Sequence, residues 1–290
     1  MHRKIEKRLQ ANSGINLLNK NVERIIAADD EFLAALTDAK RNNAGPGEEL
    51  LDFTVNALLE IIYGINQYLD IDSGSIEILK TIYRNTYESL DSPNPREALQ
   101  MHYTKLSAWL SKFYPPEFVD ALQNVTHIGK VENREYSAPL QLQILGIDGR
   151  APAEPVLDIG CGKSALLVNA LRENGIRAFG IDRMIQEKKD YLFACSWFDF
   201  DFFTQRWGTV IANMSFSNHF VHAIRNDKAK TEQFAGQYRR ILESLELNGT
   251  FVYAPAVPFA ERAIDSRFYR IEREIVYAGI ARAKVTKLRE

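Results

Sequence analysis

Cysteine is scarce in this chain of 290 residues: Cys161 and Cys195 are its two. Their wide separation excludes a disulfide scaffold and a C-x-x-C metal site, and predicts two reduced thiols. The chain also lacks any run near the ~18 apolar residues that span a bilayer. The opening MHRKIEKRLQ has no apolar signal-peptide core. Both point away from a membrane and toward the cytoplasm. Excess charge is missing too: 36 Lys and Arg against 38 Asp and Glu leave a net −2. The chain as a whole is therefore not an electrostatic nucleic-acid binder. It contains no internal repeat and no low-complexity segment.

What is present is unevenly distributed. Hydrophobic residues make up 46% and charged residues 26%, enough for a sizeable core, and the length suits two domains. Residues 1–24 form a basic arm with Arg3, Lys4, Lys7, Arg8, Lys20 and Arg24, whereas 29–120 is acidic. The arm reads as a solvated helix face or, alternatively, as an RNA contact. Up to about 134 the pattern is helical. Apolar residues recur at helix spacing at Val22, Ile25, Ile26, Phe32, Leu33 and Leu36. NNAGPGEE (42–49) is a turn. Leu50, Leu51, Phe53, Val55, Leu58, Leu59, Ile61, Ile62 and Ile65 are dense enough for burial on more than one side. Helices are expected over 76–90 and from Pro95, with Pro115-Pro116 closing the latter.

The character changes near 135. A helix is expected over 137–145. Strands over 156–159, 178–181, 209–212 and 250–254 then alternate with helices over 165–173 and 228–245. This alternation predicts a parallel sheet covered by helices on both faces. The ends of the chain, 269–277 and 281–288 around Ala278-Gly279, read as an antiparallel hairpin.

The string PVLDIGCGKSALLVNAL (155–171) joins an apolar strand, a glycine turn and a helix. Gly160 and Gly162 allow a sharp turn and close ligand approach. Ser164 is placed to cap the helix. Asp158 ends the strand. Asp182 follows Gly162 by twenty residues, at the end of FGID, where an acid can accept both hydroxyls of a ribose. Together these features point to a cofactor bearing a nucleoside. Read as G-x-G-x-x-A, residues 160–165 fit a nicotinamide dinucleotide as well.

At this point the chain resembles the class I S-adenosylmethionine (SAM) methyltransferases, whose first motif hh-D/E-h-G-x-G-x-G is matched by VLDIGCGKS (156–164), with Ser164 where the last glycine is common. WFDFDF (197–202), WGTVIANMSFSNHF (207–220), ILESLELNGTFVYAP (241–255) and the closing hairpin extend the likeness over 135–290. The resemblance implies an α/β fold: a seven-stranded Rossmann-like sheet of order 3-2-1-4-5-7-6 with strand 7 antiparallel. An all-helical domain, 1–134, would precede it as lid or substrate domain. It implies SAM as cofactor. Asp158 would support the methionine end and Asp182 would take the ribose hydroxyls, with Gly160, Cys161, Gly162 and Arg183 in the same cofactor pocket. Asp199 and Phe200 would flank the adenine, with Asp201 competing for that role, and Asn213 and Met214 would complete the pocket.

The acceptor side is less determined. Asn213 to Phe216 partly resembles the N-P-P-F/Y motif of N-methyltransferases, without its prolines. Asn213 and His219, the latter on the loop after the fourth strand, are the candidate catalytic residues. The alternatives are that Asn213 caps the strand end and that His219 hydrogen-bonds a backbone carbonyl. Tyr136 and Phe216 are candidates for the acceptor pocket or for packing, and Tyr253 is expected to line the acceptor pocket by its position. His222 lies near His219, but no further ligands stand at metal-binding spacing, so no metal is expected. The expected acceptor is a small molecule, presenting N or O. RNA read by the helical domain and a non-catalytic binding module are the alternatives. Oligomeric state is open.

Overall fold

The computed structural model describes residues 2–25, 37, 40, 47–91, 94–128, 136–147, 149, 151–276 and 279–289. The expected apolar positions Ile26, Phe32, Leu33 and Leu36, most of the turn at 42–49, residues 92 and 93, the expected boundary at 134/135, and Ala278 of the hairpin turn lie outside them. The chain falls into two compact units, Met1–Asn133 and Arg134–Glu290.

The first unit is helical among its described residues: α1 (His2–Ala11), α2 (Val22–Ile25), α3 (Glu48–Ile65), α4 (Ser73–Glu88), α5 (Pro95–Ser111) and α6 (Pro116–Leu122). α3 opens on Glu48 and Glu49, which suit the positive end of a helix dipole, and buries Leu51, Val55, Leu58, Leu59, Ile61 and Ile62. Asp72 caps α4 by accepting from the Ser75 N–H at 2.8 Å. Asn94 with Pro95 opens α5. Pro116 does more than end α5, because it also begins α6, an element the pattern did not suggest. The basic arm is half structural. Arg3, Lys4 and Lys7 are exposed, whereas Ile5, Asn16, Leu18 and Val22 are buried. Asn16 donates to the carbonyls of Leu122 and Val125, both at 2.8 Å.

The second unit begins with α7 (Ala138–Leu145) and continues β1 (Val156–Ile159), α8 (Leu166–Glu173), β2 (Ala178–Ile181), β3 (Leu192–Phe193), β4 (Trp207–Asn213), α9 (Phe216–Asn226), α10 (Lys228–Ser244), β5 (Leu245–Ala254), α11 (Pro258–Glu261), β6 (Tyr269–Ile275) and β7 (Ala281–Lys287). The sheet order is β3-β2-β1-β4-β5-β7-β6. β1 to β5 are parallel, and β7 runs antiparallel to both β5 and β6. This is the seven-stranded Rossmann-like sheet of class I methyltransferases, as the resemblance implied. β4 is buried along its whole length, as a central parallel strand must be. Alternate residues feed two cores. Leu157, Ile159, Val210, Ala212 and Phe251 meet Phe216, Phe220 and Phe234 on one face. Val156, Ile211 and Val252 meet Leu145, Leu167 and Val168 on the other.

Two local expectations change. α8 starts at Leu166, and the residue at its cap position is Ala165, held left-handed at φ 46 with no side-chain cap bond, so the cap lies one position past Ser164. The segment after β4 forms helix α9 almost at once, so His219 sits in a helix and not on a loop. Among the described residues no helix is long and apolar enough to cross a membrane.

Candidate functional site

The sheet reverses its winding between β1 and β4, and ligands of such sheets bind beyond the strand ends at that point. The chain's glycine turn lies there. Gly160 and Gly162 hold φ of 74 and 78, the left-handed region that glycine tolerates. At Gly160 a Cβ would lie 2.4 Å from Ser215 Cβ. Ser215, in the loop leaving β4, donates its hydroxyl to the Ile159 carbonyl at 2.5 Å. The β4 loop is thus pressed onto the glycine turn. Cys161 packs the turn against β2, where Gly180 leaves space for its Sγ.

Asp182, at the end of β2, closes the turn from the other side. It accepts from the Gly162 N–H at 3.0 Å and from the Met184 N–H at 2.8 Å, one on each carboxylate oxygen. A carboxylate oxygen can accept more than one hydrogen bond, so these two backbone bonds fix the side chain at the turn. Asp158 is 1% exposed. Burial first, and the charge of Asp182 second, push its carboxyl up to about 8. Its Oδ2 has no hydrogen-bond partner among the described residues, and neither has Asn213 Oδ1. The register sets Asp158 beside Ile211, so Asn213 lies one pleat further along the same face. Two unsatisfied buried acceptors at the carboxyl ends of β1 and β4 call for a donor or a cation between them. The α-ammonium of SAM has that chemistry, so the residues fit the cofactor.

On the opposite face the site has members that motif reading missed. Trp197 reaches within 3.5 Å of a Cβ built on Gly160, and stands edge-on to His219 at 5.0 Å. Its Nε1 is buried without a partner among the described residues, as is Ser217 Oγ in the first turn of α9. Burial pushes the His219 ring down to about 3, with smaller contributions from the charges of Arg183, His222 and Lys230. Arg183 and His219 therefore face one neighbourhood. Cys195 lies within range of both Asp199 and Asp182. Burial and those two charges push its thiol up to about 11, marking it as a neutral wall of the region assigned to the nucleoside. WFDFDF (197–202) signals its acids and Phe200 and not Trp197, and no motif contains Cys195. Each enters through the loop that follows β3, a two-residue strand that the apolar pattern does not announce.

The remaining candidates separate. Asp199 is exposed, and Asp201 is engaged in capping a short 3-10 turn through the Phe203 N–H at 3.0 Å. That favours Asp199 for an outside ligand. Met214 adopts φ 53 and donates its N–H to Ala254 at 2.7 Å, which bends the chain at the site's edge. Tyr136 is 37% exposed, ahead of α7, and its carbonyl accepts from Gln141. Three expectations are corrected. Phe200 is buried between Phe193 and Phe202 in the aromatic core, where it cannot flank an adenine. Phe216 is 1% exposed, against Trp197 and Phe234, and packs. Tyr253 is fully enclosed. Its hydroxyl bonds Tyr238 at 2.8 Å and Glu261 at 2.9 Å, and Glu261 also binds the Val257 N–H and pairs with Arg273. A residue so engaged lines no pocket. Among the described residues no group of three or more His, Cys, Asp and Glu is placed to hold a metal ion.

No protein-family model matches the sequence, and no curated protein matches it. Solved structures that resemble the chain include TrmN from Thermus thermophilus, 15% identical, covering 54% of this chain and 50% of that one at a TM-score of 0.39. An rRNA methylase from Streptococcus thermophilus is 12% identical, covering 53% of this chain and 98% of that one at 0.36. The magnesium protoporphyrin IX methyltransferase of Synechocystis PCC 6803, solved with bound SAM, is 12% identical, covering 62% and 96% at 0.36. The chain thus spans half of the first and nearly all of the other two. The class of fold stands on the strand order itself, and the site on its geometry.

Proposed function

We propose that the chain is a SAM-dependent methyltransferase acting on a small-molecule acceptor. The observation that carries the reading is the pair Asp158 and Asp182 on either side of a left-handed glycine turn, at the switch point of a class I sheet. Bound SAM supplies a methyl group already attached to a good leaving group, so the protein's part is to bind, align and exclude water. Asp182, fixed at the end of β2 by the Gly162 and Met184 N–H groups, holds the ribose hydroxyls. Asp158 and the Asn213 oxygen receive the ammonium of the methionine end. Asp199 and Cys195 border the adenine. Arg183 stays with the cofactor pocket, and Trp197 and His219 form the acceptor side. A ring held neutral down to about 3 is a poor proton acceptor at neutral pH. His219 therefore orients the acceptor, and the attacking N or O arrives needing no strong base.

Isothermal titration of the full chain with SAM tests this. Wild type should bind at one site, and Asp182→Ala should bind roughly 10- to 100-fold more weakly, the value of charge-assisted hydrogen bonds. An unchanged Asp182→Ala affinity overturns the site. Absence of wild-type binding favours the non-catalytic module.

A second reading, RNA methylation, draws on the exposed face of α1, with Arg3, Lys4 and Lys7. Deleting 1–24 is a poor test, because Ile5, Asn16, Leu18 and Val22 belong to the core of the helical unit. Replacing the three cations by Gln leaves that core intact. If labelled methyl groups enter total RNA and not a metabolite extract, and the triple variant loses that transfer, the small-molecule acceptor is refuted.

A further inference from the structure

Residues of α1, α3, α4, α5 and α6 line a cavity of about 330 Å³ in the helical unit. Well-packed interiors leave few voids larger than a water molecule, whereas small-ligand sites begin at roughly 300 Å³. The volume is about twice the roughly 150 Å³ that admits a benzene ring. Its described walls are mainly aliphatic, with Ile5, Leu58, Ile62, Leu99, Leu106 and Leu110 among them. Two buried polar groups interrupt that wall. One is Tyr83 of α4, whose hydroxyl makes no hydrogen bond to a described residue. Burial raises the phenol above its ordinary value, so it remains a donor at neutral pH. The other is His102 of α5, whose ring stands edge-on to Tyr83 at 4.7 Å. Thr86 settles which nitrogen of that ring carries the proton. Its single hydroxyl hydrogen goes to the Ile82 carbonyl at 2.8 Å, so the 2.9 Å contact with His102 Nδ1 is a bond donated by the ring. Burial pushes the ring down to about 4, so at neutral pH it holds that one proton only. Nε2 is then a bare acceptor, and no described residue donates to it. A phenol that can donate and a nitrogen that can only accept thus stand together on an aliphatic wall. A carboxylate cannot serve both, because it has no proton to give Nε2. An alcohol can: its oxygen accepts from Tyr83 and its hydrogen goes to Nε2. Arg8, also on the lining, hydrogen-bonds Tyr103 and is not called upon.

We propose that the helical unit binds a neutral aliphatic alcohol of medium chain length, its hydroxyl between the Tyr83 phenol and His102 Nε2 and its chain among the leucines. This site is independent of the methyltransferase reading. Isothermal titration of the full chain with octan-1-ol, and separately with methyl heptyl ether, tests it. The ether has the same heavy atoms and no hydrogen to donate. The alcohol should bind at one saturable site, roughly 3- to 10-fold more tightly than the ether, the value of one neutral hydrogen bond. His102→Asn, whose amide can keep the bond to Thr86, should abolish that preference. Tyr83→Phe, which removes a single oxygen, should weaken both ligands severalfold, and serves if His102→Asn loses its helical circular dichroism. Leu106→Trp, filling the chamber, should reduce both ligands further. No saturable binding of the alcohol to wild type overturns the proposal. So does equal affinity for alcohol and ether, or an alcohol affinity untouched by both head-group variants in folded protein.

Discussion

Asp158 is the residue whose chemistry depends most on its surroundings. A carboxyl of this type ordinarily titrates near 3.8, and burial with the Asp182 charge raises it to about 8. Between those values the folded protein keeps a proton that the unfolded chain releases. Stability contributed at this position therefore falls as pH rises from about 4 to about 8, and is flat outside that window. Asp158→Asn removes the titration. The variant should gain on wild type with rising pH, by a few kcal/mol in order of magnitude at pH 8, and least at pH 4. Thermal melts across that range check it, and a stability difference independent of pH would count against the assignment. SAM should reverse the sign, because a bound ammonium favours the ionised carboxylate. Asp158 and Asp182 were legible in the sequence because a strand, a turn and a helix at short separation fix where their side chains stand. Trp197 and Cys195 were not, because each reaches the site from a loop whose course depends on distant packing.

At the level of elements, the glycine turn and the β4 loop are one construction. Gly160→Ala sets a Cβ 2.4 Å from Ser215 Cβ and places a non-glycine residue at φ 74. The left-handed conformation alone costs about 1–2 kcal/mol, and the contact adds to it. The variant should melt at lower temperature and lose SAM binding. Adding Ser215→Gly should recover the steric part of the loss and leave the conformational part. On β5, the bonds from Tyr253 to Tyr238 and Glu261 belong to a buried network that ties α10, α11 and β6 to the strand. Tyr253→Phe should cost about 1–2 kcal/mol of stability and leave KM for the acceptor unchanged. A raised KM with unchanged stability would restore Tyr253 to the acceptor pocket. Its position at a strand end suggested a pocket residue. Only the arrival of Glu261 from α11 turns its hydroxyl inward.

At the scale of the whole molecule, the two units carry opposite pH responses. His102, in the helical unit, is pushed down to about 4. Its ordinary value is near 6.5, so between about 6.5 and 4 the unfolded chain takes up a proton that the folded unit refuses. Stability is lost as pH falls through that window, at about 1.4 kcal/mol per pH unit. In the sheet unit His219 acts in the same direction below 6.5, but Asp158 offsets it from about 4 upward. Above 6.5 Asp158 acts alone, and that unit should weaken toward pH 8. Hydrogen exchange followed by mass spectrometry at pH 5, 6.5 and 8 separates the units. Protection should drop first in residues 48–111 at pH 5 and first in 156–213 at pH 8, after correction for the intrinsic exchange rate. The same order at both pH values would refute the assignment.

The alternation of strand and helix from 155 onward, the closing hairpin, and the place of the glycine turn with its two acids can all be read from the linear order of residues. These follow from contacts over a few residues: period-two and period-3.6 burial, glycine at left-handed φ, and an acid twenty positions along one βαβ unit. Only the tertiary structure decided which aromatic residues face a ligand. Phe216 and Tyr253 stand near strand ends and Phe200 in the loop before β4, yet one core and the Glu261 network enclose them. The side-chain direction of such residues is set by what packs on them from elements up to sixty positions away. Tertiary structure also gave Trp197 its place over the turn, and gathered Arg8, Tyr83 and Tyr103 from three helices into one chamber. Neither arrangement has a periodicity that a linear reading can see.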